Sequence, residues 1–459
     1  MQPAASIPPS TDTAPVTGGK RLLPRPSVAD ILAVNRDVLA PNIAKGVIHR
    51  RRFVMSLAER FDFDGRAVRR MQALRRRYGS GPLLMQTPPG RTQALILSPD
   101  HVRRVLDGTP EPFAVDSWEK KSALSHFQPR GVLISHGAER EDRRRFNAEV
   151  LEERRPVHSL ARRVFQVIDE EAGRLLLLAW PRGWFDWDEF AQAWFRMVRR
   201  VVLGDAARDD HALADAIVRL RSAGNWAFLH PKRTALLRWF HGRLTEYLAR
   251  PQPGTLCDVI SHTASTESTA PTDQMAHWLF ALDPTGMTTY RTMALLATHP
   301  DQARRAHDEI NARAETGSFE LPFLRACVLE SLRLWPTTPV ILRETTEETS
   351  WESGLMPAGV SVVIFAPYFQ RDDERLSFAH DFVPDLWLGG DLEDKLPLVP
   401  FSAGPAICPG RQLMLLLSTG MLASVMQGHR LALGESWRLQ PDRPMPGSLD
   451  HYSMTFRIS

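Results

Sequence analysis

Cys408 is the residue whose type and setting point most directly to chemistry. It stands in the stretch Phe401-Ser-Ala-Gly-Pro-Ala-Ile-Cys408-Pro-Gly410, followed by an apolar run from Arg411 to Met426. Leu413, Leu416, Leu417, Met421 and Val425 keep a helical period with few charges between them, which predicts a buried helix. The proline directly after Cys408 suits the first turn of a helix. Cys408 is thereby placed at a helix N-terminus, where free N–H groups and the dipole favour a thiolate. Gly404 and Gly410 let the backbone turn tightly and approach a flat partner closely. The same residues also fit a core cysteine ahead of a buried helix, since free Cys is among the most buried residue types.

A second pair lies upstream, in Glu330-Ser-Leu-Arg333-Leu-Trp-Pro336. Residues three apart share a helix face, so Glu330 and Arg333 can form an ion pair. Exposed pairs of this kind are common. Here Cys327, Val328, Leu329, Leu332 and Leu334 surround the pair with apolar side chains, which favours burial.

These stretches resemble a known family. Phe401-x-x-Gly404-x-x-x-Cys408-x-Gly410 is similar to the haem-binding loop of cytochromes P450, where the Cys thiolate is the axial iron ligand. That ligand pushes electron density to the iron and favours O–O cleavage. Glu330-x-x-Arg333 is similar to the family's Glu-x-x-Arg. The resemblance runs from about Leu83 to the end of the chain. It implies a mainly α fold with small β-sheets, the cytochrome P450 fold. The implied cofactor is haem b (iron protoporphyrin IX), with Cys408 on the metal and Phe401 and Gly410 at the cofactor.

Gly137-x-x-Arg140-x-x-x-Arg144 resembles the family's Gly-x-x-His-x-x-x-Arg, with Arg140 where His usually stands. Arg donates bidentately to carboxylates, and haem carries two. The resemblance therefore implies Arg140, Arg144 and Arg343 as cofactor-binding residues. Arg143 and Arg145 crowd the same turn, so a solvated arginine stripe is the competing explanation.

Residues 272–298 form a long helical pattern ending at His299-Pro300. It is similar to the family helix that crosses the haem and carries an acid–alcohol pair for proton delivery to dioxygen. Counting back from His299-Pro300 puts the acid at Asp283 and the alcohol position at Pro284, with the hydroxyl moved to Thr285. A second register reads Thr285-Gly286-Met287-Thr288-Thr289 as the motif, without an acid. The first preserves spacing and carboxylate, so Asp283 and Thr285 are the expected catalytic pair. Pro284 removes one helix hydrogen bond and clashes with the carbonyl of Phe280, which predicts a kink with room for a water. Asp283 that merely satisfies freed backbone N–H groups is the alternative. Two further positions depart from the family. Leu386 replaces an Arg that joins the Glu-x-x-Arg pair, so Glu330 and Arg333 must complete their bonds elsewhere. Ala406 replaces a propionate-binding Arg or His.

The elements that position these residues read as one large helical domain over residues 21–459. Residues 1–20, rich in Pro, Ala, Ser and Thr, are expected to be disordered. Residues 83–86 and 94–97 alternate around a turn and read as a hairpin. Residues 108–131 read as irregular. Trp226 and Phe228, at a helix junction, are candidate pocket residues, and residues 448–459 a last hairpin. His49 to Arg52 and Arg75 to Arg77 read as solvated basic faces.

The chain has 459 residues, 43% of them hydrophobic, a formal charge of +4 and three widely spaced cysteines. Those cysteines form neither a zinc pattern nor a disulfide framework. No basic motif with an aromatic platform accompanies the arginines, so nucleic acid is not an expected partner. No apolar run approaches the ~20 residues of a membrane span. The resemblance then implies a soluble, cytoplasmic protein of the bacterial type. It would be a monooxygenase inserting one oxygen atom from O2 into a lipophilic small molecule, such as a secondary metabolite. Electrons would come from a ferredoxin and its ferredoxin reductase, docked on a basic surface for which Arg411, Arg143 and Arg145 are candidates. The departures leave two alternatives open. One is a peroxide-driven or non-oxygenating enzyme such as an isomerase or dehydratase; the other is a catalytically silent P450-like partner protein.

Overall fold

A computed structural model describes residues 16–17, 20–87, 90–227, 229–390, 392 and 398–459. Residues 1–15, the larger part of the segment expected to be disordered, lie outside the described residues, as does Phe228.

The helices that build the site are α1 (Arg52–Arg60), α2 (Trp118–Leu124), α3 (Gly137–Val150), α4 (Ala161–Ala179), α5 (Trp187–Leu203), α6 (His211–Gly224), α7 (Thr234–Ala249), α8 (Pro271–Thr298), α9 (Pro322–Leu334) and α10 (Arg411–Met426). Helix α8 is the axis of the molecule. Every residue from Thr285 to Leu296 is buried, and the hydroxyls of Thr285, Thr288, Thr289 and Thr292 are satisfied by carbonyls four residues back in the same helix. It continues without a break through Pro284. Pro322 opens α9, and the Glu309 carboxylate accepts from the N–H groups of Phe323 and Leu324, at 2.7 and 2.9 Å. That carboxylate satisfies two of the free donors a helix start leaves. A large apolar core fills the space among these helices, and a second lies under the main sheet.

The main sheet contains β1 (Leu83–Thr87), β2 (Arg91–Leu95), β3 (Phe113–Ala114), β5 (Val340–Thr345) and β6 (Ser361–Phe365), in the order β1-β2-β6-β5-β3. Only the β2–β6 pairing is parallel. Strand β5 alternates, so Ile341, Arg343 and Thr345 are turned to the covered side. A three-stranded sheet joins β4 (Trp184–Asp186), β7 (Leu431–Leu433) and β8 (Thr455–Ile458), with β8 in the middle.

Three expectations change. Residues 108–131 contain β3 and α2; a seven-residue helix is too short to show a period. The C-terminus forms no local hairpin, because β8 pairs with β7 and with β4, partners distant in sequence. The basic cluster at His49 is only partly solvated: Arg52 is exposed, but Arg50 turns inward and donates to the carbonyls of Gly46 and Thr337, both at 2.7 Å. Among the described residues no helix is long and apolar enough to cross a membrane.

Candidate active site

Cys408 sits just ahead of α10, its N–H bonded to the Phe401 carbonyl at 3.0 Å. The loop between them is tight. Gly404 has φ +64°, and a Cβ there would lie 2.4 Å from the Leu106 carbonyl oxygen. Burial pushes the Cys408 thiol up, although the Gly410 N–H and Arg144 pull the other way. A thiolate here therefore needs a further positive partner, which a bound metal supplies. Among the described residues no group of three or more His, Cys, Asp or Glu could hold a bare ion. Cys408 thus fits a metal that brings its own remaining ligands.

Beside this loop lies a nest of cations short of anions. Arg343 is 3% exposed and donates to Thr109 Oγ1 (3.0 Å), to its neighbour's carbonyl and to Ser402 Oγ (3.1 Å). Burial, with Arg140 close by, pushes it down to about 10. Burial and then Arg144 lower Arg140. The Arg140 Nε and Arg144 Nη1 atoms are buried without a hydrogen-bond partner among the described residues. Arg144 is otherwise tied to Glu153 and to the Ile407 carbonyl, the residue before Cys408. Lys120 joins the nest from α2, its Nζ on the carbonyls of Val115 and Leu342 at 2.8 and 2.9 Å. Burial and then Arg343 push its pKa far down. Orphaned donors and mutually repelling cations fit a dianionic group, as the two carboxylates of haem would be. Lys120 was missed in sequence, where nothing distinguishes it from the adjacent Lys121. Only Lys121 is solvated, half-exposed and bonded to Asp116.

Helix α8 presents a partly open face. His277, Phe280, Ala281 and Pro284 are half-exposed at helical spacing, while their neighbours are covered. The Thr289 hydroxyl bonds Ser418 of α10 at 3.0 Å, which ties this helix to the one that carries the Cys408 loop. The expected pair is placed as follows. Asp283 forms an ion pair with Arg221 of α6. Thr285 donates to the Ala281 carbonyl at 3.3 Å, and the Leu282 carbonyl accepts from the Trp194 indole at 2.8 Å. In the second register, Thr288 and Thr289 both bond back to their own helix.

Glu330 and Arg333 are fully buried and paired. Arg333 also donates to the carbonyls of Gln370, Phe378, Ala379 and Asp381. Glu330 accepts from the Val383 N–H at 3.0 Å and the Trp387 indole at 2.8 Å. Backbone and one indole thus complete what Leu386 cannot. Of the docking candidates, Arg143 is excluded: it is 3% exposed and bonded to Ser268 and Ser135. Trp226 is on the surface, with Arg51 stacked 4.7 Å from its ring centroid.

Comparison with known proteins follows the same lines. The family model described as Cytochrome P450 matches residues 275–449. A cyclooctat-9-en-7-ol 5-monooxygenase of Streptomyces melanosporofaciens is 31% identical over 38% of this chain and 38% of its own length. A drimenol monooxygenase of Persicaria hydropiper is 28% identical over 34% of this chain and 32% of its own. The chain thus spans about a third of the length of these relatives. Two crystal structures share the fold at 17% identity. Cytochrome P450 CYP102L1 superposes at TM-score 0.68, covering 85% of this chain and 94% of its own. The cytochrome P450DA heme domain gives 0.67, with 86% and 92% covered.

Proposed function

This chain belongs to the cytochrome P450 family, and we propose from that premise that it is a haem-thiolate monooxygenase acting on a lipophilic small molecule. The observation that carries this is Cys408 on its tight loop beside a cation nest in which, among the described residues, Arg144 is paired with Glu153 while Arg140 and Arg144 keep buried donors without a partner. Haem b, when bound, supplies the dioxygen chemistry, its iron made electron-rich by the thiolate. Cys408 would hold its iron through the thiolate, with Phe401 and Gly410 at the cofactor. Arg140, Arg144, Arg343 and Lys120 would hold its carboxylates. The two relatives named as monooxygenases of cyclooctat-9-en-7-ol and drimenol support a secondary metabolite as substrate. A ferredoxin and its reductase are the proposed electron source. Three cysteines, none in a disulfide, support a reducing cytoplasm.

The reduced protein with carbon monoxide should show the strongly red-shifted Soret band of thiolate-ligated haem. An unshifted band, or no haem, would reject the reading.

Asp283 is proposed to hold or pass a proton at its carboxylate, with Arg221 fixing its orientation and Thr285 one residue beyond Pro284. A carboxylate so placed serves general acid–base work worth about 10²–10⁴ in rate. Asp283→Asn should lower product formed per electron pair about tenfold or more and raise peroxide release to match. Unchanged partition would take Asp283 out of the proton path. It would also favour the peroxide-driven reading, tested by turnover with peroxide alone.

A further inference from the structure

A cavity of about 350 Å³ opens between α5, α6, α8 and the segment 47–52, and it reaches α8 at Phe280, Asp283 and Pro284. Part of its lining is apolar, formed by Ala191, Phe195, Val198, Leu213 and Ile217. A polar corner lies around His49, where Arg221 donates to the Ile48 carbonyl. The arginines of the whole lining are Arg50, Arg52, Arg199 and Arg221, and its carboxylates are Asp188 and Asp283. Arg52 pairs with Asp188 and Arg221 with Asp283. Arg50 and Arg199 have no carboxylate partner among the described residues and donate to backbone carbonyls. The cavity wall therefore carries two cations more than anions.

Two polar atoms in this corner are buried and unpartnered among the described residues, Arg221 Nε and His49 Nδ1. Arg221 is 3% exposed, its guanidinium over the Phe280 ring at 5.2 Å. An arginine that keeps a free donor while deeply buried is costly unless a ligand completes it. The corner is also held rigid. Asn225 Oδ1 accepts from the N–H groups of Ile48 and His49 at 2.8 and 3.1 Å, and its Nδ2 donates to the His49 carbonyl at 2.7 Å. Gly46 closes the turn with φ +91°, where a Cβ would lie 2.0 Å from the His49 carbonyl oxygen.

We propose that this cavity binds a lipophilic monocarboxylate, its head at His49, Arg50 and Arg221 and its chain between α5 and α6. This rests on the monooxygenase reading only in naming the ligand a substrate. A carboxylate offers two acceptor oxygens to an arginine edge and neutralises one of the two excess charges. The apolar wall takes the chain, as cavities of this size commonly do.

The test compares decanoate with 1-decanol by isothermal titration calorimetry at pH 8, on the haem-loaded protein whose carbon monoxide spectrum has been recorded. Decanoate is expected to bind at least tenfold more tightly than 1-decanol. Arg221→Gln and, separately, Arg50→Gln should each weaken decanoate about tenfold or more and leave 1-decanol within twofold. Equal affinity for the two probes, or loss of both in the variants, would overturn the proposal. Two variants guard against one that fails to fold. Because binding is read directly, a missing thiolate band with selective decanoate binding would fail the monooxygenase reading alone. A normal band without selectivity would fail the carboxylate site alone.

Discussion

Arg333→Met should lower the free energy of unfolding by about 3–5 kcal/mol, the usual loss when one partner of a buried ion pair is removed. Glu330 and Arg333 are both fully buried, so water cannot replace what is lost. Arg333 ties α9 to four carbonyls between Gln370 and Asp381, and those acceptors lose their donor too. Glu330 would keep Val383 and Trp387 but no cation. Removing the carboxylate as well should recover part of the loss, so Glu330→Gln with Arg333→Met should cost less than the two changes summed. Urea denaturation of the four proteins gives the numbers. A single-variant loss under 1 kcal/mol, or strict additivity, would mean that the backbone carbonyls and the indole carry the site without the pair.

What the sequence showed and what it hid follow one physical division. Cys408, Glu330 and Arg333 lie in local patterns: a glycine turn before a buried helix, and charges three apart among apolar residues. Such patterns are written in contiguous sequence, and they held the framework of the fold as well as its centre. The partners of these residues were not legible. Arg333 finishes its bonds on backbone carbonyls, which every residue has. Lys120 lies beside Lys121 in a short polar helix, and only packing against β5 buries one and leaves the other in water. The middle position of β8 depends on β4, far away in the chain. His49 and Arg50 read as a basic surface because four consecutive basic residues normally are one. Their inward turn depends on Asn225, and that contact spans most of the domain's first half. Pro284, a local signal, stands inside α8, and the helix runs on through it to Thr298.

Arg343→Met and Lys120→Met should each weaken haem retention about 10–100-fold, measured by transfer of haem to a competing apoprotein. Hydrogen bonds to charged groups contribute about 1.5–3 kcal/mol each, which corresponds to that range. Arg343 is the stronger case, since it already spans Thr109 and Ser402 and is held in place for an anion. Lys120 can be separated from a merely structural role by pH. Its pKa is pushed far below the ordinary lysine value in the folded protein without an anion. Between its folded pKa and the unfolded value of about 10.4, the unfolded chain binds the extra proton, so stability rises with pH, by at most about 1.4 kcal/mol per pH unit. Below the folded pKa both states are protonated and the burial penalty is present in full. The haem-free protein should therefore gain stability as pH climbs through that window, and Lys120→Met should lose this slope. Loading haem should flatten the slope in the unmodified protein too, because a carboxylate beside Lys120 raises its folded pKa again. A slope that survives both changes would place the titrating group elsewhere and leave Lys120 as packing against β5.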